Sequence, residues 1–230
     1  MSLKLMRQLL IFIFVVLMQM FASLSYANTG RLYTSNELTS NQIKVVVQDK
    51  YGFIWVGTNY GLNRFDGYSF TSYLCNPNDP TSIQDNGIVR LLPYDKESLY
   101  VATNNGLYRY SYSNNSFELI PIPDRSEKVR VSELVEDKQH NILIGTEGNG
   151  VYKLDVATGS VIKLDKPFAN SIANFYSRMY FDAQGYLWQF NHTDIFRKYK
   201  YDGKHIKLVK QYAIQGSYGF SNPFAGDQHG

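Results

Sequence analysis

The sequence predicts an all-β protein: a partial β-propeller of about four four-stranded antiparallel blades, plus the start of a fifth. Three observations point there. A unit of about 45 residues recurs four times, which is the period of a propeller blade. Its centre is marked by Trp55, Tyr100, Leu143 and Trp188, at separations of 45, 43 and 45 residues. Ile43, Ile88, Val131 and Tyr176 stand twelve residues before them, with no gap in any copy. Gly- and Asn-rich turns interrupt the chain about every 8–10 residues, and no copy carries the i, i+3, i+4 apolar stripe of a helical solenoid.

The copies read IKVVVQDKYGFIWVGTNYGLNRFD, IVRLLPYDKESLYVATNNGLYRYS, VSELVEDKQHNILIGTEGNGVYKLD and YSRMYFDAQGYLWQFNHTDIFRKYK. Asp49, Asp137 and Asp182 align, as do Gly52 with Gly185 and Thr58 with Thr103 and Thr146. Gly57 aligns with Gly145, and Gly61 with Gly106; Gly150 joins the latter pair after a one-residue insertion. An Asp at the head of a turn caps its own backbone, and a Gly three residues on accepts positive φ without steric cost. The β-branched and aromatic run that follows is strand chemistry. A further β-rich piece lies downstream of each core, at Tyr68–Tyr73, Ser116–Ile120, Ser160–Leu164 and Lys204–Val209.

Taken in order, residues 1–27 read as a secretory signal peptide. Lys4 and Arg7 precede the apolar run Leu9–Met18, and Ser25-Tyr26-Ala27 offers a small-residue cleavage site. Ten apolar residues fall short of the ~20 that a membrane-spanning helix needs. The propeller is expected over 28–230, opening with an isolated strand at Arg31–Ser35 that would close against the last blade of a ring. Blades are expected at about 41–73, 87–120, 129–164 and 175–209. Between the first two, Asn76–Asn86 is a polar connector in which Pro77 and Pro80 bar regular structure. Residues 122–129 and 166–174 connect the later ones. A step of 45 from Asp182 lands on Asp227, and the closing DQHG repeats the turns DKYG and DAQG. A fifth blade is therefore expected to begin at 220–230, as the front part of a longer polypeptide.

Charge excludes one class of partner. The 23 Lys and Arg fall to 21 once Lys4 and Arg7 leave with the leader, against 20 Asp and Glu. So even a balance gives no reason to expect nucleic acid. The single cysteine, Cys75, precludes a disulfide framework and reads as an inert core or loop residue. His140, His192, His205 and His229 share no spacing that would put two on one strand face, so no metal site is expected. No nucleophile elbow or phosphate-cradling loop is present, so neither a catalytic residue nor a cofactor is expected. The aligned Asp49, Asp137 and Asp182 occupy the same turn of different blades, which favours capping over paired-carboxylate chemistry.

The repeat resembles the two-component regulator propeller: an Asp-x-x-Gly turn, a strand with Leu/Ile-Trp-x-Gly-Thr, then Gly-Leu-x-Arg/Tyr. Asp49–Phe65 fits almost throughout. The second copy keeps Thr103, Gly106 and Leu107 but has Tyr100 for Trp and Ala102 for Gly. The third keeps Gly145-Thr146 with Leu143 for Trp; the fourth keeps Leu187-Trp188 and loses Gly-Thr. The resemblance covers essentially all of residues 30–230. It implies the periplasmic sensor half of a Bacteroidetes hybrid two-component system, with a parent anchored in the inner membrane by one helix and followed by histidine kinase and receiver domains. It also implies a seven-bladed ring, of which this chain holds part. The partners it implies are an oligosaccharide bound by the intact parent, a second copy of that parent, and the remaining blades.

Three functions from different classes are compatible with these residues: a ligand-binding sensor, a secreted propeller enzyme acting on polysaccharide, and a non-catalytic scaffold for protein contacts. The enzyme would need a His/Tyr/carboxylate cluster on one face, which the sequence does not assemble. Trp55 and Trp188 are expected to be buried between neighbouring blades.

Overall fold

The computed structural model describes residues 37–123, 129–164, 178–191 and 195–213. Sixteen strands and no helix occur among them. Blade one is β1 (Ile43–Gln48), β2 (Ile54–Thr58), β3 (Gly61–Phe65) and β4 (Phe70–Tyr73). Blade two is β5 (Ile88–Pro93), β6 (Ser98–Thr103), β7 (Gly106–Ser111) and β8 (Ser116–Ile120). Blade three is β9 (Val131–Glu136), β10 (Ile142–Thr146), β11 (Gly150–Leu154) and β12 (Val161–Lys163). Blade four is β13 (Arg178–Phe181), β14 (Tyr186–Asn191), β15 (Ile195–Tyr201) and β16 (Ile206–Ala213).

Every sheet is an antiparallel meander whose strands pair in sequence order. The expected four-bladed organisation is therefore present, with β16 reaching four residues past Val209. The leader, the Arg31–Ser35 strand, the connector 166–174, residues 175–177 and the Asp227–Gly230 turn lie outside the described residues.

Register is the same in all four blades. Trp55 stands opposite Val47 and Arg64, and Tyr100 opposite Leu92 and Arg109. Leu143 stands opposite Val135 and Lys153, and Trp188 opposite Tyr180 and Lys198. The first strands of blades one to three each slip register at one aligned residue, Lys44, Val89 and Ser132. Such a bulge sharpens the local twist of a strand.

Successive first strands lie side by side: β1 against β5, β5 against β9 and β9 against β13. The third residues of β1, β5 and β9 are Val45, Arg90 and Glu133, and Arg178, the first of β13, holds the same repeat position. Glu133 is buried and bridges two blades, with Arg90 Nε at 3.1 Å and Arg178 Nη1 at 3.4 Å.

Apolar side chains fill the gaps between blades. One core cluster joins blades one and two through Trp55, Leu62, Ile88 and Tyr110; a second joins two and three; a third joins three and four. Middle strands β6 and β10 are buried along their whole length because a blade covers each face. The outward face of blade one is different. Ile43 and Val46 are 50% and 55% exposed, whereas their repeat counterparts Ile88, Leu91, Val131, Leu134 and Met179 are all buried by the blade before them.

Close approach explains the recurring small residue on the second strand. A Cβ on Gly57 would lie 2.5 Å from Ile88 Cγ2 and 2.7 Å from Val45 Cγ1. The next copies hold Ala102 and Gly145, and the fourth holds Phe190, beyond which no blade packs among the described residues. The connector Asn76–Asn86 is tied down despite its polarity. Ile83 is fully buried in the cluster between blades one and two, and the Thr81 carbonyl accepts from Phe117 N–H at 2.7 Å. Cys75 is a half-buried free thiol just before it.

Candidate functional site

Each repeat position has a structural employment. Asp49 Oδ1 accepts from the N–H groups of Tyr51 and Phe53, at 2.9 and 3.0 Å, and its Oδ2 accepts from Trp55 Nε1 at 2.6 Å. Asp182 repeats this with Tyr186 N–H and Trp188 Nε1, both at 2.8 Å. Asp137 caps Gln139 and Asn141 in the same way. Gly52 and Gly185 supply the positive φ of the turn, 87° and 88°, and His140 adopts 62° in the third copy. Thr58, Thr103 and Thr146 are buried on the next turn, each donating its hydroxyl to the carbonyl of Gly61, Gly106 or Gly150 at 2.7–3.0 Å. Tyr100 and Leu143 fill the central position in blades two and three and are buried. These are the capping contacts expected of the aligned Asp residues.

The carboxylates also reach forward to the next blade. Tyr112, just after β7, donates its hydroxyl to Asp49 Oδ2 at 2.7 Å. Tyr201, at the end of β15, donates to Asp137 Oδ2 at 2.8 Å. Burial pushes both phenols well above their usual pKa, and the bonded carboxylates push them further, so both stay protonated donors. The intervening interface has lost both halves of this pair together. Blade two has Tyr94 where Asp would stand, and blade three has Val156 where the phenol would stand. Both pack on the same apolar cluster.

A second constellation lies on the third strands. The residue opposite the central aromatic or apolar position is basic in every blade: Arg64, Arg109, Lys153 and Lys198. Lys198 lies 4.0 Å from the centre of the Tyr186 ring and 3.5 Å from Asp182 Oδ2. Burial raises the Asp182 pKa, but the Trp188 indole, the Tyr186 N–H and Lys198 outweigh it and hold the carboxyl below its ordinary value. Lys153 donates to the Gly203 carbonyl at 2.8 Å, and Arg109 stands 3.9 Å from Glu118. Arg64 lies over Phe53 at 4.7 Å and donates to the Tyr110 hydroxyl at 3.2 Å, with Trp55 and Tyr73 beside it.

Two clefts open at equivalent places. Between blades one and two, about 670 Å³ is lined by Tyr51, Phe53, Arg64, Lys96, Arg109 and Tyr112, with Glu97 the one acid. Between blades three and four, about 390 Å³ is lined by Gln139, Asn141, Lys153, Asp202, Lys204 and His205. Asp202 is held down to about 2 by the backbone N–H groups of His205 and Lys204. Only the first cleft combines aromatic rings with several cations.

The sequence reading placed Trp55 correctly, fully buried and 5.0 Å from Tyr110 and 5.6 Å from Tyr73. Trp188 differs from the expectation. Its ring is half-buried, stacked at 5.7 Å on the half-exposed Tyr212, because no further blade covers that face among the described residues. The Tyr112/Tyr201 phenols are absent from the sequence motif, and the motif's Arg position does not by itself reveal that a cation stands there in all four blades. Extending the alignment twelve or thirteen residues past the central position would have exposed both columns.

Residues 37–60 match the family profile described as two component regulator propeller. A stretch of 82 residues, 34% of this chain, is 37% identical to Histidine kinase P4 of Formosa agariphila and spans 6% of that protein. The fold is similar to the extracellular domain of a protein assigned as a hybrid two-component system from B. thetaiotaomicron: TM-score 0.57, 20% identity, 77% of this chain and 31% of that one. It is equally similar to the WD40 β-propeller domain of Doa1, with TM-score 0.57 and 9% identity over 83% of this chain and 59% of the other. The chain thus spans a small part of the curated relative and about a third of the first of these structures.

Proposed function

From the premise that this chain is built of two-component regulator propeller repeats, we propose that it is the ligand-sensing part of a hybrid two-component signalling protein. It acts outside the cytoplasm, in the periplasm, and responds to an oligosaccharide. The observation that carries this is the repeat match at residues 37–60, together with the stretch 37% identical to a histidine kinase.

The architecture suits sensing. Blades are stiff four-stranded units joined through buried clusters and a few directional contacts, so a ligand seated between two of them acts on their mutual packing. A ligand shifts a conformational equilibrium only by its differential affinity for the two states. A cleft whose walls belong to different blades is where such a difference arises. The aromatic cleft between blades one and two supports a saccharide ligand, because ring faces pack on the C–H face of a sugar while Arg64, Lys96 and Asn114, which also lines it, order its polar groups.

Reading the transcript past the Gly230 codon tests the signalling half of the proposal. A transmembrane segment and a histidine kinase in the same frame support it; an unrelated reading frame overturns it. Titration of the purified chain with neutral and acidic oligosaccharides, followed by calorimetry, tests the ligand half.

A further inference from the structure

The aligned third-strand cations are not equally satisfied. Lys198 has the Asp182 carboxylate, Lys153 has the Gly203 carbonyl, and Arg109 has Glu118. Arg64 has neither a carboxylate nor a carbonyl among the described residues. Its guanidinium makes one hydrogen bond, to the Tyr110 hydroxyl, and its buried Nε has no partner. Taking a guanidinium partly out of water is costly unless an anion compensates it. Arg64 is held in place by ring packing on Phe53, Trp55 and Tyr73, at the wall of the larger cleft.

That cleft sets Arg64, Lys96 and Arg109 against the single acid Glu97. Tyr51 presents a 53% exposed ring at its rim, 5.1 Å from Tyr112. The equivalent cleft between blades three and four also sets two lysines, Lys153 and Lys204, against one acid but lacks aromatic lining, so the combination of rings and cations is not a general property of the repeat. A volume of about 670 Å³ lies within the range of small-ligand sites, about 300–1,000 Å³.

We propose that the cleft between blades one and two binds an acidic saccharide, with a carboxylate or sulfate on Arg64 and Lys96 and the sugar ring on Tyr51. A guanidinium engages such planar or tetrahedral oxyanions through charge-assisted hydrogen bonds. This rests on the oligosaccharide reading above and adds its charge and its seat. Both walls belong to blades described in full, so the seat does not depend on blades beyond the fourth.

The test is calorimetry on the purified chain with four probes: trigalacturonate, a 6-sulfated galactose disaccharide, neutral galactotriose and inorganic sulfate. At least one acidic probe should bind, with affinity falling as salt is raised, and should bind at least about tenfold more weakly to Arg64→Gln, the loss of one charged hydrogen bond. Tyr51→Ala should weaken it as well. Because that change also removes the hydroxyl's bond to the Lys96 carbonyl at 2.7 Å and the packing on Tyr112, both variants are titrated well below their own melting transitions, so that a folding defect cannot mimic the result. Equal binding of galactotriose, or acidic binding untouched by both substitutions, overturns the acidic cleft and leaves the oligosaccharide reading standing. No binding of any saccharide overturns both. If sulfate alone binds at Arg64, the cleft is an anion site and the saccharide assignment falls.

Discussion

Tyr112→Phe removes one oxygen and nothing else. The ring keeps its neighbours, with Tyr51 and Tyr110 each at 5.1 Å and Trp55 at 6.2 Å. What is lost is the hydroxyl that donates to Asp49 Oδ2 across the first blade interface, at 2.7 Å. A hydrogen bond to a charged group is worth about 1.5–3 kcal/mol net. Asp49 retains the Trp55 indole and two backbone N–H donors, so the lower half of that range, about 1.5–2 kcal/mol, is expected. For a domain of this size each kcal/mol moves the melting temperature by about 2–4 °C, which predicts a fall of about 3–8 °C. Urea unfolding of Tyr112→Phe, Asp49→Asn and the double variant should give a coupling energy of about 1–2 kcal/mol. Tyr201→Phe, with Asp137 as its partner, should repeat the result. Tyr94→Phe, whose hydroxyl meets only the exposed His140 carbonyl, should cost less than about 0.5 kcal/mol. A Tyr112→Phe protein within about 0.5 kcal/mol of wild type, or a coupling energy near zero, would refute the claim that these phenols fasten one blade to the next.

Trp55→Ala should cost about 3–5 kcal/mol because the ring is fully buried, and Trp188→Ala clearly less; acrylamide should quench Trp188 far more than Trp55 in the two single-tryptophan proteins. Asp182 is held below its ordinary pKa, so its contribution is complete above the unfolded value and disappears as the pH falls through the folded one. The stability deficit of Asp182→Asn relative to wild type should therefore shrink as unfolding is followed from about pH 6 into acid. Glu133 runs the other way: burial raises it to about 7 against the pull of Arg90. Its contribution is full below the unfolded pKa and is lost as the pH rises through about 7, so Glu133→Gln should flatten the change in stability between about pH 5 and pH 8.

What could be read from the sequence was chemistry that closes within a dozen residues. Asp49 caps a turn four residues long, Thr58 hydrogen-bonds three residues on, and the strand between them is written in β-branched and aromatic letters. Each of these recurs, so period and blade count followed. The cleft is of another kind, because Arg64 meets Tyr110 and Asp49 meets Tyr112 across a blade boundary. Nothing near either residue in the chain announces the partner. Trp188 shows the same limit from the opposite side. Its indole donates to the carboxylate six residues before it just as that of Trp55 does, yet its burial depends on whether another sheet lies over it.

The paired change at Tyr94 and Val156 gives the array an internal address. Repeats of similar sequence invite loss or duplication by recombination, and a uniform array would tolerate both. Here, excision of blade two would bring Asp49 against Val156, leaving a buried carboxylate facing a side chain that cannot donate to it. Excision of blade three would bring Tyr94 against Tyr201, two phenols where one contact expects an acid. A tandem copy of blade two or blade three would meet a mismatch of the same kind at its one new border, Tyr94 against Tyr112 or Asp137 against Val156. Each unit is thus fitted to its successor, and the order of the blades is as much a part of the fold as the strands within them.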